Sequence, residues 1–255
     1  MSNITKLRTS RPLLSLVPRF LCPIPASIYD LVKKIVRKDS KALLVSIMNY
    51  LYEAQDSALC KYVGEQLRDN VPFWDRFYGF ELDLHDVSLL PQDCLSIGYF
   101  MAFIAVSCKR EFRVNLESCS LGDTGIKIIM QSLCRSLDPH SKVTGHLNLH
   151  IGQNEITEKG ALYVAEALRT TKALWNLNLC TTGLHYYYWG TRMSNQIGDK
   201  GLQYITEALV TNTSLVKLNL RDCSIRITEE NGPILTEMLQ KNKTLRKINL
   251  LAMHG

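Results

Sequence analysis

Asn154-Glu155-Ile156-Thr157-Glu158-Lys159-Gly160 returns in the same chain as Asn195-Gln196-Ile197-Gly198-Asp199-Lys200-Gly201. Each copy is followed, after the same interval, by a Leu-x-Leu pair: Gly160 to Leu177 is 17 residues, and so is Gly201 to Leu218. Equal return intervals mark one structural unit used more than once, and a repeat sets the fold of the whole chain.

Working outward, the short apolar pairs are Leu82/Leu84, Val114/Leu116, Leu147/Leu149, Leu177/Leu179, Leu218/Leu220 and Ile248/Leu250, whose second members lie 32, 33, 30, 41 and 30 residues apart. The irregularity comes from loops. Leu149 to Asn154 is five residues where Leu116 to Cys119 and Leu220 to Cys223 are three, and Leu179 to Asn195 is sixteen. Removing an insertion of two from the third interval and one of thirteen from the fourth leaves 28 in both cases. The unit is 28 residues with loop insertions.

The second half of each unit carries apolar residues at helical spacing. Counted from Gly125, Gly160 and Gly201, the inward positions are Ile126/Ile129/Leu133, Ala161/Val164/Leu168 and Leu202/Ile205/Leu209. The same count from Asp93 gives Cys94, Ile97 and Met101, and from Asn231 it gives Gly232, Leu235 and Leu239. Thr157 is placed to cap a helix, and Asp123, Glu158 and Asp199 put negative charge in first turns, where the helix dipole favours it. Strand, turn and helix alternate. A unit of this kind buries its apolar faces only by stacking on its neighbours. The expected fold is therefore an α/β solenoid, a partial horseshoe with a parallel inner sheet and outer helices.

The segments Leu174-x-x-Leu177-x-Leu179 and Leu215-x-x-Leu218-x-Leu220-x-x-Cys223-x-Ile225 resemble the leucine-rich repeats of ribonuclease inhibitor, and those of the NACHT and leucine-rich-repeat (NOD-like receptor) family. Residues 92–100 resemble the segment with which many such receptors open their repeats, and residues 49–56 resemble the helical linker before it. The second resemblance implies the ligand-sensing or autoinhibitory C-terminal portion of an intracellular innate immune receptor, or a shortened relative. No Gly-x4-Gly-Lys-Ser/Thr phosphate loop occurs, so this chain is not expected to bind or hydrolyse nucleotide. The sequence stops at Gly255, just after the strand around Ile248, which points to a shortened chain or to an edge that pairs with a partner.

Residues 25–78 read as a helical linker that caps the first unit. Ser40 is placed to cap a run from Lys41 to Ala54 whose apolar face is Leu43, Leu44, Ile47, Met48, Leu51 and Tyr52. A second run carries Leu59, Val63 and Leu67. The array then occupies residues 79–255.

With 46% apolar residues, the 255-residue chain has material for a substantial core. No stretch approaches the roughly 18 uninterrupted apolar residues of a membrane span, so a soluble, cytoplasmic protein is expected. The net charge of +6 is localised: the first 41 residues hold nine Lys/Arg against two acids. Residues 1–24 read as a basic, poorly ordered segment. The stretch to Leu21 has the acid-free composition of a transit peptide, but Pro12 and Pro18 interrupt the amphipathic helix such a peptide needs. The eight cysteines form no Cys-x-x-Cys pair and are expected as free thiols.

Because side chains alternate along a strand, the residues beside the buried leucines face the inside of the curve. These are Arg113, Asn115, Glu117, Asn148, His150, Asn176, Asn178, Lys217, Asn219 and Arg221, extended by Asp83, His85, Lys247 and Asn249. This concave face is the expected protein-binding surface. The thirteen-residue insertion brings Tyr186, Tyr187, Tyr188 and Trp189, with Arg192 and Met193, and aromatics of this kind concentrate at interfaces. Cys119 and Cys223 take the positions of Asn154 and Asn195 and read as rungs of a structural ladder. His146 and His150 share a strand face but lack a third zinc ligand nearby in sequence, so no metal is expected, and neither is any cofactor. No catalytic constellation stands out, which makes a binding protein the expectation and an enzyme not. Two other readings are a free-standing adaptor like ribonuclease inhibitor and a regulator like the Ran GTPase-activating protein. A phosphate loop encoded upstream of Met1 and stimulation of GTP hydrolysis separate the three. Nucleic acid and membrane are not expected partners.

Overall fold

The computed structural model describes residues 26–37, 40–69, 80–107, 111–135, 145–180 and 194–250. Three helices come first: α1 (Ala26–Arg37), α2 (Lys41–Ala54) and α3 (Ser57–Asp69). Strands and helices then alternate as β1 (Phe80–Asp83), α4 (Pro91–Ser107), β2 (Glu111–Asn115), α5 (Gly122–Arg135), β3 (His146–His150), α6 (Glu158–Thr170), β4 (Leu174–Asn178), α7 (Gly198–Thr211), β5 (Lys217–Asn219), α8 (Gly232–Lys241) and β6 (Lys247–Asn249).

The six strands form one parallel sheet in chain order, so each unit pairs only with the next. Leu82, Val114, Leu149, Leu177, Leu218 and Ile248 stand in one row across it. The helices pack in the same succession, α4 on α5 through to α7 on α8. Between sheet and helices runs one continuous apolar core from Ile28 to Met238. Fully burying each leucine along it contributes about 1.5–3 kcal/mol. This is a solenoid-like α/β stack of repeats.

Helix starts use the residues the sequence offers. The Thr157 hydroxyl accepts the Lys159 N–H at 3.2 Å and donates to Asp123 at 2.7 Å, so the cap of α6 is tied to the first turn of α5. Asp199, in the first turn of α7, accepts the Arg226 N–H at 2.7 Å, the bond that the Thr157 N–H makes to Asp123, although α8 itself starts only at Gly232. Ser40 stands at the N-cap of α2 in extended backbone, but its hydroxyl makes no capping bond.

Helices α2 and α3 lie against the first unit, α2 on α4 and α3 on β1 and α4. Lys41 Nζ donates to the His85 carbonyl at 2.8 Å, and Asn49 Nδ2 donates to Asp93 Oδ1 at 2.7 Å. The face α2 buries differs from the expected one. Leu43 is 42% exposed and Val45 is buried in its place, because the turn that meets α4 is set by Leu44, Ile47, Met48 and Leu51. The last helix also departs from expectation. Leu239 is 52% exposed and Leu235 only partly buried, while Met238 is the buried residue of α8. Leu239 has the phase of Leu209, but among the described residues there is no further helix to cover it.

Candidate functional site: the open face of the sheet

One face of the sheet carries the helices; among the described residues no helix covers the other, the open face. Its residues form rows by strand register. One row is Glu81, Arg113, Asn148, Asn176, Lys217 and Lys247, and the next is Asp83, Asn115, His150, Asn178, Asn219 and Asn249.

The second row is first of all a turn-maker. The side-chain oxygens of Asp83, Asn115, Asn178 and Asn219 accept the backbone N–H two residues on, from His85, Glu117, Cys180 and Arg221, at 3.1–3.2 Å. Such bonds fix the exit from each strand. Asn178 is only 6% exposed and Asn148 only 4%, with the Asn148 amide donating to the Glu111 carboxylate. Neither offers the open contact surface that alternation alone assigns it. His150 interrupts the row of Asx residues and is half-buried. Burial holds its imidazole below the ordinary value, the Arg113 cation pushes the same way, and Glu117 and Asp83 pull against both.

Charge is distributed unevenly along the open face. Over the first strands lie Glu81, Asp83, Glu111 and Glu117, with Arg113 Nη1 3.6 Å from Glu81 and His85 Nδ1 2.7 Å from Asp83. Over the last strands lie Lys217, Arg221, Arg246 and Lys247, of which Arg221 meets Asp222 at 3.2 Å. Exposed pairs of this kind contribute at most about 1 kcal/mol each, so they orient side chains more than they hold the fold.

Below the strand ends runs the expected ladder. Asn154 Oδ1 accepts from the N–H groups of Cys119 and Leu121, and its Nδ2 donates to the carbonyls of Leu116 and Gly152. Asn195 does the same one unit on, for Asn154, Ile156, Ile151 and Leu179. At the cysteine rungs the thiols donate to carbonyls, Cys119 to Leu84 at 3.1 Å and Cys223 to Leu179 at 3.5 Å. Burial pushes the thiols of Cys60, Cys94 and Cys119 up to about 12. These three are therefore expected to resist iodoacetamide at pH 8 in the folded protein and to react on denaturation. Peptide mapping that found Cys119 alkylated without unfolding would contradict the ladder.

A second ladder, at the ends of the helices, was not anticipated. Asn212 Nδ2 donates to the Leu168 carbonyl and its Oδ1 accepts from Ser214 and Leu215 N–H; Asn242 serves Leu209, Thr244 and Leu245 in the same way. Its signal is the recurrence of Asn212-x-Ser214-Leu215 as Asn242-x-Thr244-Leu245. Read alone, each triplet is a glycosylation acceptor. Both amides are buried and already donating, so here the triplet builds a turn.

The open face also holds residues that strict alternation misses: Trp175, Val216 and Arg246. Leu174 and Leu177 are three apart and both fully buried, which leaves Trp175 and Asn176 together on the half-exposed side. The register shift between Leu147 and Asn148 opposite β4 is the sheet's accommodation. The Leu-x-x-Leu spacing was the available signal. Tyr186, Tyr187, Tyr188, Trp189, Arg192 and Met193 lie outside the described residues. Among the described residues no three His, Cys, Asp or Glu side chains gather as metal ligands, and no helix is long and apolar enough to cross a membrane.

Residues 193–205, which run through Asn195 into α7, match the family model described as Leucine Rich repeat. The chain thus carries a leucine-rich-repeat region. No curated protein matches it.

Proposed function

We infer that this chain is a protein-interaction module whose partner docks on the open face of the sheet. The observation that carries the reading is the open face itself: among the described residues six strands present mixed-charge rows that are exposed or half-exposed except at Asn148 and Asn178, beside a leucine-rich repeat, and extended faces of this kind are what repeat proteins use to bind. In this reading the stack curves as a partial horseshoe with the open face inside. The chain works in the cytoplasm as the ligand-sensing or autoinhibitory repeat region of a NOD-like innate immune receptor or a shortened relative. It performs no catalysis and binds no nucleotide; the helical segment and the array divide near residue 79. The support for the receptor reading is the resemblance of residues 49–56 and 92–100, and it stands apart from the support for protein binding.

Site-directed photocrosslinking in cells tests the binding face. A benzoylphenylalanine at Asn176, on the open face, is expected to give a discrete crosslinked partner, and one at Glu166, on the outer side of α6, is not. Crosslinks from Glu166 alone would move the interface to the helices and sink the proposal.

A further inference from the structure

The open face is chemically most distinctive where strands β3 to β6 begin. Leu215 and Leu218 repeat the spacing of Leu174 and Leu177, both buried, and Leu245 and Ile248 repeat it again. Residues three apart in a regular strand point to opposite faces. Holding both inside places two residues together outside: Trp175 with Asn176, Val216 with Lys217, and Arg246 with Lys247. Bulges re-aim side chains in this way. The Trp175 ring lies 4.4 Å from that of His146, tilted by 45°, and His146 is itself exposed. The Val216 N–H donates to the Trp175 carbonyl and the Arg246 N–H to the Val216 carbonyl, each at 2.8 Å, so these residues form a row. Lys217 and Lys247 are register partners in the row beside it.

Two features define what this patch takes. A half-exposed tryptophan propped by an imidazole is an apolar platform, and tryptophan is among the residues that dominate binding energy once desolvated. Lys217 and Lys247 stand on adjacent strands, about 4.8 Å apart at the backbone, and like charges so placed repel. Arg246 adds a third cation. Among the described residues none of the three enters an ion pair, whereas the acids of the open face lie over β1 and β2, apart from Asp222, which pairs with Arg221 beyond the C-terminal end of β5. A ligand bringing carboxylates relieves the repulsion as it binds.

We propose that this patch docks an acidic segment of a protein partner, its apolar or aromatic side chain seated on Trp175, His146 and Val216 and its carboxylates meeting Lys217, Arg246 and Lys247. The assignment rests on the protein-interaction reading above. A nucleic-acid strand also combines stacking with cations, but it needs successive aromatics along the cationic row, and Trp175 is followed there by Val216 and Arg246.

The test is selection of phage-displayed peptides on the full chain, with a Trp175→Ala variant as counter-selection. Enriched peptides are expected to combine Asp or Glu with Trp, Phe or Leu. A fluorescein-labelled synthetic example should lose at least tenfold in affinity on Trp175→Ala and on Lys217→Glu/Lys247→Glu, and should weaken with salt. Lys200→Glu, on the outer side of α7, should leave it unchanged. Lys217 and Lys247 are exposed, so their reversal keeps the test valid if Trp175→Ala melts early. Peptides that bind both variants as tightly as the parent remove this site and leave the interaction reading standing. A library that yields no binder removes both. Oligouridylate binding more tightly than any acidic peptide, and lost in the same variants, gives the patch to RNA and overturns the proposal.

Discussion

Replacing Asn195 by alanine is expected to cost about 3–5 kcal/mol of unfolding free energy, more than any exposed substitution in the array. Its amide is buried and serves four backbone groups: it accepts from the N–H groups of Asn154 and Ile156 and donates to the carbonyls of Ile151 and Leu179. Alanine leaves all four without that partner in a place water does not reach, and each unsatisfied group costs about 1–3 kcal/mol. The chain supplies its own intermediate case. At the matching positions Cys119 and Cys223 donate from sulfur to a carbonyl, so Asn195→Cys should retain part of the donation, lose the acceptor, and fall between the parent and Asn195→Ala. Urea unfolding followed by circular dichroism ranks the three. Cysteine and alanine equally destabilising, or alanine within 1 kcal/mol of the parent, contradicts the ladder as the tie between units.

The stacking was legible in the sequence because its causes are local and periodic. Burial of leucine pairs, helix phase from Gly125, Gly160 and Gly201, and the shared position of cysteine and asparagine each follow from spacing, and the structure places them together. The open face was less legible. The rule that strand residues alternate is right for β1 and β2 and fails from β4 onward, where Leu174 and Leu177 are both inside; alternation therefore leaves Trp175 out of the face it helps to form. Alternation also carries no account of hydrogen bonding, so it assigns Asn115, Asn178 and Asn219 to a partner when their oxygens first hold their own turns. Leu43 failed for a related reason: a helix that meets neighbours on two sides has a wider apolar arc than one face predicts, and packing against α4 selects among the candidates.

The repeated glycine yields the second large effect. In Gly160 a β-carbon would lie 2.4 Å from Ile156 Cγ2, 2.5 Å from Asp123 Oδ1 and 3.1 Å from Ile126 Cγ2. None of these yields cheaply. Ile156 and Ile126 are fully buried, and the Asp123 carboxylate is held by two bonds to Thr157, at 2.9 and 2.7 Å. One added methyl group thus pushes α6 away from α5 and strains the cap of α6 at the same time. Gly201 faces the same constraint, 2.7 Å from Ile197 Cγ2 and 2.9 Å from Ala161 Cβ, which explains why the recurring segment ends on glycine in both copies. Overpacking of a filled interior costs typically about 1–3 kcal/mol, and the loss of the Asp123 bonds brings Gly160→Ala toward about 4 kcal/mol. Gly232 is the control within the same fold. Apart from its chain neighbours its β-carbon would meet only Ile227 Cγ2, at 3.9 Å, so Gly232→Ala should change stability by no more than about 1 kcal/mol, the entropy lost by the unfolded chain offsetting crowding against Pro233. Thermal melts of the two variants side by side decide the matter: similar losses at both positions mean that glycine serves backbone conformation throughout, whereas a loss confined to Gly160 means that it sets the distance at which one unit stacks on the next.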